Sequence, residues 1–312
     1  MQILVTGING FVGKHLAREL ASRDIEVIGV GHQEPTVNEE IAGIVSQYFQ
    51  CDVTKPDAVD LLPLENLNAV INLAGLASVG ASFKNPELYM NVNVNVLSVL
   101  GGALLNKNPR ARMIAVSTGG IYESNQLLPL TETSQTVENG SPYAKSKLAM
   151  EEAARELRKN GQDCVVVRPF NHIGPGQGLG FLIPDLADKL KRADPANPQI
   201  TAGNLRTIRD FTDVRDIAKA YTDLATSEVL EYDLYNVCSG SGQSGEDIVK
   251  ALCSSLNINF AELTINTDPS LIRPTDPPKI IGDSSRLQED TGWEPEIPLS
   301  KTVEDIVAEL NS

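Results

Sequence analysis

The chain has 312 residues, of which 41% are hydrophobic, enough to bury one large core or two moderate ones. Its formal net charge of -15 disfavours duplex nucleic acid and anionic membranes as partners, because both attract diffuse positive charge. Any anionic ligand must therefore be held by a few local cations.

The N-terminal segment is expected to run as a strand directly into a glycine turn, without the basic region of a leader peptide. No later segment is expected to reach the length of a membrane span. The cysteines are far apart in the sequence and lack the paired spacing of metal ligands; they are Cys51, Cys164, Cys238 and Cys253. We therefore expect a reducing cytoplasm and no metal site.

Short apolar runs alternate with longer amphipathic stretches through the first half of the chain. Strands are predicted over 2–6, 25–30, 69–74, 112–117 and 164–168, and helices over 11–23, 86–106 and 142–160. This alternation is typical of an α/β fold with a Rossmann-type, doubly wound parallel sheet. The third helix has Ser141 as its N-cap, Pro142 in its first turn and Gly161 just past its end.

Past residue 170, clusters of Gly and Pro separate shorter elements. We predict a dinucleotide-binding domain over 1–168, with a return segment around 211–238. Residues 169–312 are predicted to form mainly a smaller α/β substrate-binding lobe.

Three glycines follow the first strand and open the first helix. Glycine lets the backbone turn tightly and approach a pyrophosphate, whose charge the N–H groups of the helix N-terminus can hold. A plain tight turn is the alternative, but the position between a strand and a helix favours a dinucleotide site. The residues predicted to bind the pyrophosphate are Gly7, Asn9, Gly10, Phe11, Val12 and Gly13.

The second strand ends in Val30-Gly31-His32, without a carboxylate that could accept from a ribose 2′-hydroxyl and repel a 2′-phosphate. This modestly favours NADP(H) over NAD(H), with His32 as a potential cation; the alternative is a solvated loop histidine. An Asp placed at Gly31 or His32 is expected to shift the preference toward NADH. Asp52 and Val53 are assigned to the adenine end, and the alternative for Asp52 is a turn cap before Thr54.

Tyr143 and Lys147 are four residues apart on one helix and project from the same face. A phenol that exchanges a proton at neutral pH needs a lowered pKa, and a nearby ammonium favours the phenolate. Such a pair occurs on many surface helices. Thr118, at the end of a preceding strand, can orient a substrate oxygen, and its presence favours a catalytic site.

These motifs, with Asn72-Leu-Ala-Gly75 and Asn93, resemble the extended short-chain dehydrogenase/reductase superfamily over essentially the whole chain. The resemblance implies that Tyr143 is the general acid/base, that Lys147 lowers its pKa and binds the nicotinamide ribose, and that Thr118 aligns the substrate. It also implies a cofactor channel lined by Leu73, Ala74, Gly75, Asn93, Arg168 and Phe170.

Residues 168–177, 209–216 and 273–293 resemble the nucleotide-sugar lobe of that superfamily, most closely that of the GDP-4-keto-6-deoxymannose reductases. The implied substrate-binding residues are Ser78, Thr118, Asn171, Arg209, Arg273 and Asp276. The two arginines would hold the diphosphate, which guanidinium groups match well, and Asp276 a ribose hydroxyl. Taken singly, each arginine could instead form a surface ion pair. His172 is expected to be a packed loop histidine.

Two departures bear on the reaction. The sugar dehydratases carry an acidic base two positions after the Ser/Thr, where this chain has Gly119 and Gly120, and Glu123 replaces a usual glycine. Dehydration is therefore not expected, although the related reductases often keep that acid too, so Gly120 is also a departure from them. The resemblance as a whole implies reduction of the C4 keto group of a nucleotide-activated 4-keto-6-deoxy sugar. The alternatives are a nucleotide-sugar 4-epimerase with tightly bound NAD and a non-catalytic dinucleotide sensor.

The helices at 86–106 and 142–160 are expected to form the interface of a homodimer, as in the superfamily.

Overall fold

The computed structural model describes residues 1–272 and 277–310. Its main sheet contains β1 (Gln2–Thr6), β2 (Glu26–Gly31), β3 (Val45–Gln50), β4 (Ala69–Asn72), β5 (Arg112–Val116), β6 (Cys164–Pro169) and β10 (Leu234–Val237). The strands lie in the order β10-β6-β5-β4-β1-β2-β3, and every neighbouring pair is parallel. The predicted doubly wound sheet is confirmed.

Helices cover both faces of this sheet. One face carries α1 (Phe11–Ser22) and α7 (Val214–Thr226), and the other carries α2 (Pro56–Val59), α4 (Pro86–Lys107) and α5 (Pro142–Lys159). Each face buries its own apolar cluster, so both faces of the sheet are covered and shielded from water, as is usual for a parallel sheet. The carboxyl ends of the strands remain open for a ligand.

A smaller body follows the main sheet. In it β9 (Ile208–Asp213) pairs with β7 (Asn171–Ile173), β11 (Gly242–Ser244) and β13 (Lys279–Ile280), while β8 (Gln199–Ala202) pairs with β12 (Thr264–Thr267). Its helices α6 (Leu182–Lys191), α8 (Gly245–Leu256) and α10 (Leu299–Leu310) enclose a separate apolar core. Two short helices are also present, α3 (Val79–Ser82) between β4 and α4 and α9 (Ser285–Thr291) between β13 and α10. The proposed domain boundary stays a prediction.

The predicted elements agree with the structure to within two residues at each end. At the start of α5 the Ser141 hydroxyl accepts from Ala144 N at 3.2 Å, and Gly161 has φ of +97° after its end. Sequence reasoning did not predict β3. This strand lies at the sheet edge and leaves many of its side chains in contact with solvent, so its apolar pattern is weak.

The expectation that no segment reaches the length of a membrane span is wrong for α4. This helix has 22 residues and is apolar enough, by length and composition, to cross a membrane. In the structure it packs against α5, and its buried side chains belong to the core beneath the main sheet; they include Val96, Leu97, Leu100 and Leu104. Packing in this core covers only part of the helix, since 39% of its apolar window is buried.

Candidate active site

The glycine loop joins β1 to α1 and leaves no space for side chains. Gly7 has φ of +67°, which favours glycine, and a Cβ at Gly13 would lie 2.5 Å from the carbonyl oxygens of Gly7 and Ile8. Helix α1 begins after Gly10 without a side-chain cap or an acidic residue in its first turn. The loop therefore presents a bare helix N-terminus, and this geometry fits a pyrophosphate.

The segment after β4 lies against this loop. A Cβ at Gly7 would lie 3.2 Å from the Leu73 carbonyl carbon and 3.3 Å from Ala74 N. Ala74 N donates to the Thr6 hydroxyl at 3.0 Å, and that hydroxyl donates to Asn72 Oδ1 at 2.7 Å. These bonds hold the ends of β1 and β4 together, which is where the predicted channel begins.

Asp52 and Val53, assigned to the adenine end, follow the edge strand β3. One carboxylate oxygen, Oδ1, accepts from Thr54 N at 3.0 Å and from the Thr54 hydroxyl at 2.6 Å, and this hydroxyl lowers the pKa of Asp52. Asp52 Oδ2 lies 3.8 Å from Nε2 of His32, whose side chain is 65% exposed. Asp52 Oδ1 therefore caps the turn before Thr54, which is the alternative given for this residue. The neighbouring Val53 is buried. Contact of these residues with adenine stays a prediction.

Thr118, Tyr143 and Lys147 are brought together where β5 ends beside the first turns of α5. Lys147 Nζ donates to the Val116 carbonyl at 2.8 Å and lies 6.0 Å from the centre of the Tyr143 ring. The Thr118 hydroxyl accepts from Gly120 N at 3.1 Å and hydrogen-bonds to the Tyr143 side chain. The structure therefore assembles the trio that the sequence predicts.

Burial dominates the electrostatics of this trio. It raises the pKa of Tyr143, and the hydrogen bond to Thr118 opposes the rise only in part. The Lys147 ammonium donates to the Val116 carbonyl, and its lowering of the phenol pKa stays a prediction. Burial lowers the pKa of Lys147 to about 8, while the charge of Glu151 opposes this shift. The phenol is therefore protonated at neutral pH, as a proton donor must be.

Asn93 fixes the backbone around the trio. Its side-chain Nδ2 donates to the Ser146 hydroxyl at 2.8 Å, and Oδ1 accepts from Leu76 N at 2.8 Å. The Ser146 hydroxyl donates in turn to the Tyr143 carbonyl at 2.8 Å. A Cβ at Gly75 would lie 2.9 Å from Asn93 Oδ1, so this channel position needs glycine. Asn93 thus supports the channel from behind.

Arg168 takes part in a buried network of hydrogen bonds. Its guanidinium binds both carboxylate oxygens of Glu151, at 2.9 and 2.7 Å, and donates to the Tyr122 hydroxyl at 2.9 Å. The Ser117 hydroxyl donates to Glu151 at 2.6 Å, and the Tyr122 hydroxyl donates to Asn236 at 2.6 Å. The network joins β5, α5, β6 and β10. Arg168 therefore holds these elements together, and its predicted place in the lining of the cofactor channel stays a prediction.

Phe170 packs behind the end of β5. A Cβ at Gly119 would lie 2.8 Å from the Phe170 ring, and a Cβ at Gly282 would lie 2.6 Å from it. By contrast, a Cβ at Gly120 would meet the Thr118 hydroxyl at 3.3 Å and otherwise has space. Phe170 therefore excludes a side chain at Gly119, whereas the geometry leaves room for one at Gly120.

Three of the predicted substrate residues outside the trio lie in the described part of the chain, namely Ser78, Asn171 and Arg209. Asn171 begins β7 and is exposed, while the hydroxyl of Ser78 accepts from Ala81 N at 3.3 Å as the N-cap of α3. Arg209 lies in β9, where its Nη1 donates to the Ile208 carbonyl at 2.7 Å. The remaining two predicted residues, Arg273 and Asp276, lie outside the described residues.

His172 is a packed histidine, as expected. Its ring stacks on Phe11 with 6.1 Å between ring centres, and its Nδ1 lies 3.2 Å from the Phe170 carbonyl. Burial lowers the pKa of His172. The ring is therefore neutral at pH 7, and it connects the loop after β6 to the glycine loop.

Sequence reasoning missed several supporting residues. Glu151 follows Lys147 by four positions on α5, so its placement on the catalytic face was available from the helical period. Asp210 gave no such signal: one of its oxygens accepts from Ser239 N at 2.9 Å and the other from Gly240 N at 3.0 Å. These partners are distant in the sequence and only the fold brings them together.

Comparison with known proteins agrees with this geometry. The profile of the NAD dependent epimerase/dehydratase family matches residues 3–238. A GDP-6-deoxy-D-mannose reductase of Pseudomonas aeruginosa is 32% identical, over 100% of this chain and 97% of that protein. A GDP-6-deoxy-D-talose 4-dehydrogenase of Aggregatibacter actinomycetemcomitans is also 32% identical, over 92% and 90%. A solved structure of RMD from Pseudomonas aeruginosa with NADPH superimposes with a TM-score of 0.83 at 29% identity, covering 100% and 99%.

The matched profile spans the glycine loop, the Thr118, Tyr143 and Lys147 trio, and the segment through β10. Both curated relatives are 32% identical and cover 100% and 92% of the chain. The chain therefore belongs to the NAD dependent epimerase/dehydratase family.

Proposed function

We propose that the protein is an enzyme that reduces the C4 keto group of a nucleotide-activated 4-keto-6-deoxy sugar, using NADPH or NADH. The observation that carries the proposal is the buried, neutral Tyr143, hydrogen-bonded to Thr118 and adjacent to Lys147, at the open end of β5. The two curated relatives named above support the substrate class, because both names describe GDP-linked 6-deoxy sugars.

The residues divide the chemistry between them. A bound reduced nicotinamide supplies the hydride equivalent that a ketone carbon needs to become an alcohol carbon. The Thr118 hydroxyl orients the ketone oxygen, and the Tyr143 phenol gives that oxygen its proton, leaving a phenolate. The Lys147 ammonium stabilises the phenolate and can bind a ribose hydroxyl. Solvent then returns a proton to Tyr143.

Gly120 argues against dehydration as the reaction. Elimination of water from a sugar needs a base beside the reacting carbon, and no carboxylate occurs at Gly119 or Gly120. Space for a side chain exists at Gly120, so its glycine is not imposed by packing. The absence of the acid there disfavours dehydration and does not by itself distinguish reduction from epimerisation.

A 4-epimerase is the second candidate, because it uses the same three residues and belongs to the same family. The two differ in their use of cofactor: an epimerase keeps NAD bound and returns the hydride, whereas a reductase consumes NADPH or NADH. A non-catalytic sensor of dinucleotides is disfavoured by the intact trio, and it would bind cofactor and sugar without turnover.

The test is oxidation of NADPH by the purified protein with 4-keto-6-deoxy sugars linked to GDP, UDP or dTDP. We expect consumption of cofactor with at least one of them, preferentially the GDP-sugar. Protein that is purified with stoichiometric NAD and interconverts 4-epimers without net oxidation would contradict reduction and support the epimerase.

We also propose a homodimer in the cytoplasm. Helix α4 packs against α5, and its apolar Leu88 and Met90 remain 51% and 39% exposed, which supports burial against a second copy. The four free, buried cysteines support a reducing compartment. Light scattering should give twice the mass of the chain at micromolar concentration, and a monomer would contradict the dimer.

A further inference from the structure

The tip of β2 has no space for a side chain. Gly31 closes this strand, and a Cβ there would lie 3.0 Å from Cζ of Tyr48 and closer still to the Tyr48 hydroxyl oxygen. Tyr48 belongs to the neighbouring strand β3, where its Cα is paired with Gly29. The phenol thus fills the volume in which a side chain at the tip of β2 would begin.

Hydrogen bonds hold the Tyr48 phenol in this place. Its hydroxyl donates to the Glu34 carbonyl at 2.7 Å and accepts from Asn9 Nδ2 at 3.4 Å. Asn9 also donates to the Thr36 carbonyl at 3.1 Å and accepts from Asn38 N at 2.8 Å. One phenol therefore connects the glycine loop to the loop that follows β2.

The chemistry of this position matters for the adenosine ribose. A carboxylate at the tip of β2 accepts from a 2′-hydroxyl and repels a 2′-phosphate. Burial raises the pKa of Tyr48, and the charge of the nearby Glu34 raises it further, so the phenol is uncharged at neutral pH and itself exerts no such repulsion. The structure also changes an earlier expectation, since an Asp at Gly31 has no room while Tyr48 is present.

We propose that Tyr48 determines cofactor specificity, its phenol excluding a carboxylate from the tip of β2 and leaving the ribose site open to a 2′-phosphate. The inference rests on the proposed function only in assuming that the glycine loop binds a nicotinamide dinucleotide. The exposed His32 lies 3.8 Å from Oδ2 of Asp52, whose other oxygen accepts from the Thr54 hydroxyl. The ligand expected at the tip of β2 is thus a 2′-phosphorylated adenosine.

The test compares dissociation constants of NADPH and NADH, measured by fluorescence titration without any sugar. Tyr48→Glu places a carboxylate beside the ribose and should weaken NADPH about tenfold or more relative to NADH. Tyr48→Phe keeps a neutral ring and should keep the wild-type ratio within about threefold. Gln47→Glu is the matched control, because it adds the same charge to the opposite face of β3 and should leave the ratio unchanged.

A second pair of variants tests the steric part. Gly31→Asp alone should weaken both cofactors, whereas Gly31→Asp combined with Tyr48→Ala has room for the carboxylate and should favour NADH. The proposal is overturned if Gly31→Asp alone switches the preference, or if Tyr48→Glu binds both cofactors in the wild-type ratio. Failure of the proposed reaction would appear differently, as intact NADPH binding by the wild type without turnover on any keto sugar.

Discussion

The buried pair of Arg168 and Glu151 offers the sharpest test of what holds the active site together. The two side chains are only 6% and 8% exposed, and both carboxylate oxygens are used. Glu151→Gln keeps the shape but removes the charge, and its amide N–H₂ would face the guanidinium donors. Arg168 would then be a buried cation without a counter-ion.

The expected loss of stability is about 3–5 kcal/mol, the usual cost of removing one partner of a buried ion pair. Glu152→Gln on the same helix is the matched control. Glu152 pairs with Arg155, but both side chains are more than half exposed, so its loss should cost at most about 1 kcal/mol. Replacing both members of the buried pair, as Glu151→Leu with Arg168→Met, should recover most of the loss, because no charge is then left unpaired.

Urea unfolding at pH 7 measures these differences. The pH profile of turnover gives a second readout, because Glu151 raises the pKa of Lys147 and its removal should lower that pKa further. A Glu151→Gln variant that loses no more stability than Glu152→Gln would refute the reasoning. So would a double variant that is less stable than Glu151→Gln.

Three further outcomes follow from the same geometry. Gly13→Ala should abolish cofactor binding or folding, since its Cβ would lie 2.5 Å from two carbonyl oxygens, whereas Gly102→Ala, with no atom within 4 Å, should bind NADPH normally in a titration. The pKa of Lys147 is lowered to about 8 by burial, so the unfolded chain holds that proton more tightly. Stability of the cofactor-free protein should therefore rise by about 3 kcal/mol from pH 8 to 10.5 in urea unfolding, relative to Lys147→Met, and parallel pH curves would contradict this. The same Lys147→Met variant should lose turnover and NADPH affinity together, and unchanged affinity would exclude a ribose contact.

The sequence predicts the parts of this protein that follow local rules. Strand and helix periods locate the main sheet, the cap at Ser141 locates α5, and the spacing of Tyr143 and Lys147 locates the catalytic face. The glycine loop can be predicted equally well, because the atoms that exclude a side chain at Gly13 belong to the same turn. These features depend on neighbours within a few residues.

What the sequence could not predict depends on contacts between distant residues. Tyr48 meets Gly31 across two strands, and Asp210 meets Gly282 through the fold of the smaller body. The pKa of Tyr143 was expected to be lowered by Lys147 because the two share a helix face. Burial raises that pKa, and the Lys147 ammonium donates to the Val116 carbonyl. Burial of this kind cannot be deduced from spacing.

The central claim is that Tyr143 delivers the proton to the substrate oxygen, and Tyr143→Phe tests it most directly. The substitution keeps the ring, its contact with Tyr89 and the glycine loop, but removes the hydroxyl. On a keto sugar that the wild type reduces, turnover should fall by roughly 100- to 10,000-fold while the dissociation constant of NADPH changes little. Near-normal turnover by Tyr143→Phe would contradict both the mechanism and the assignment of the site.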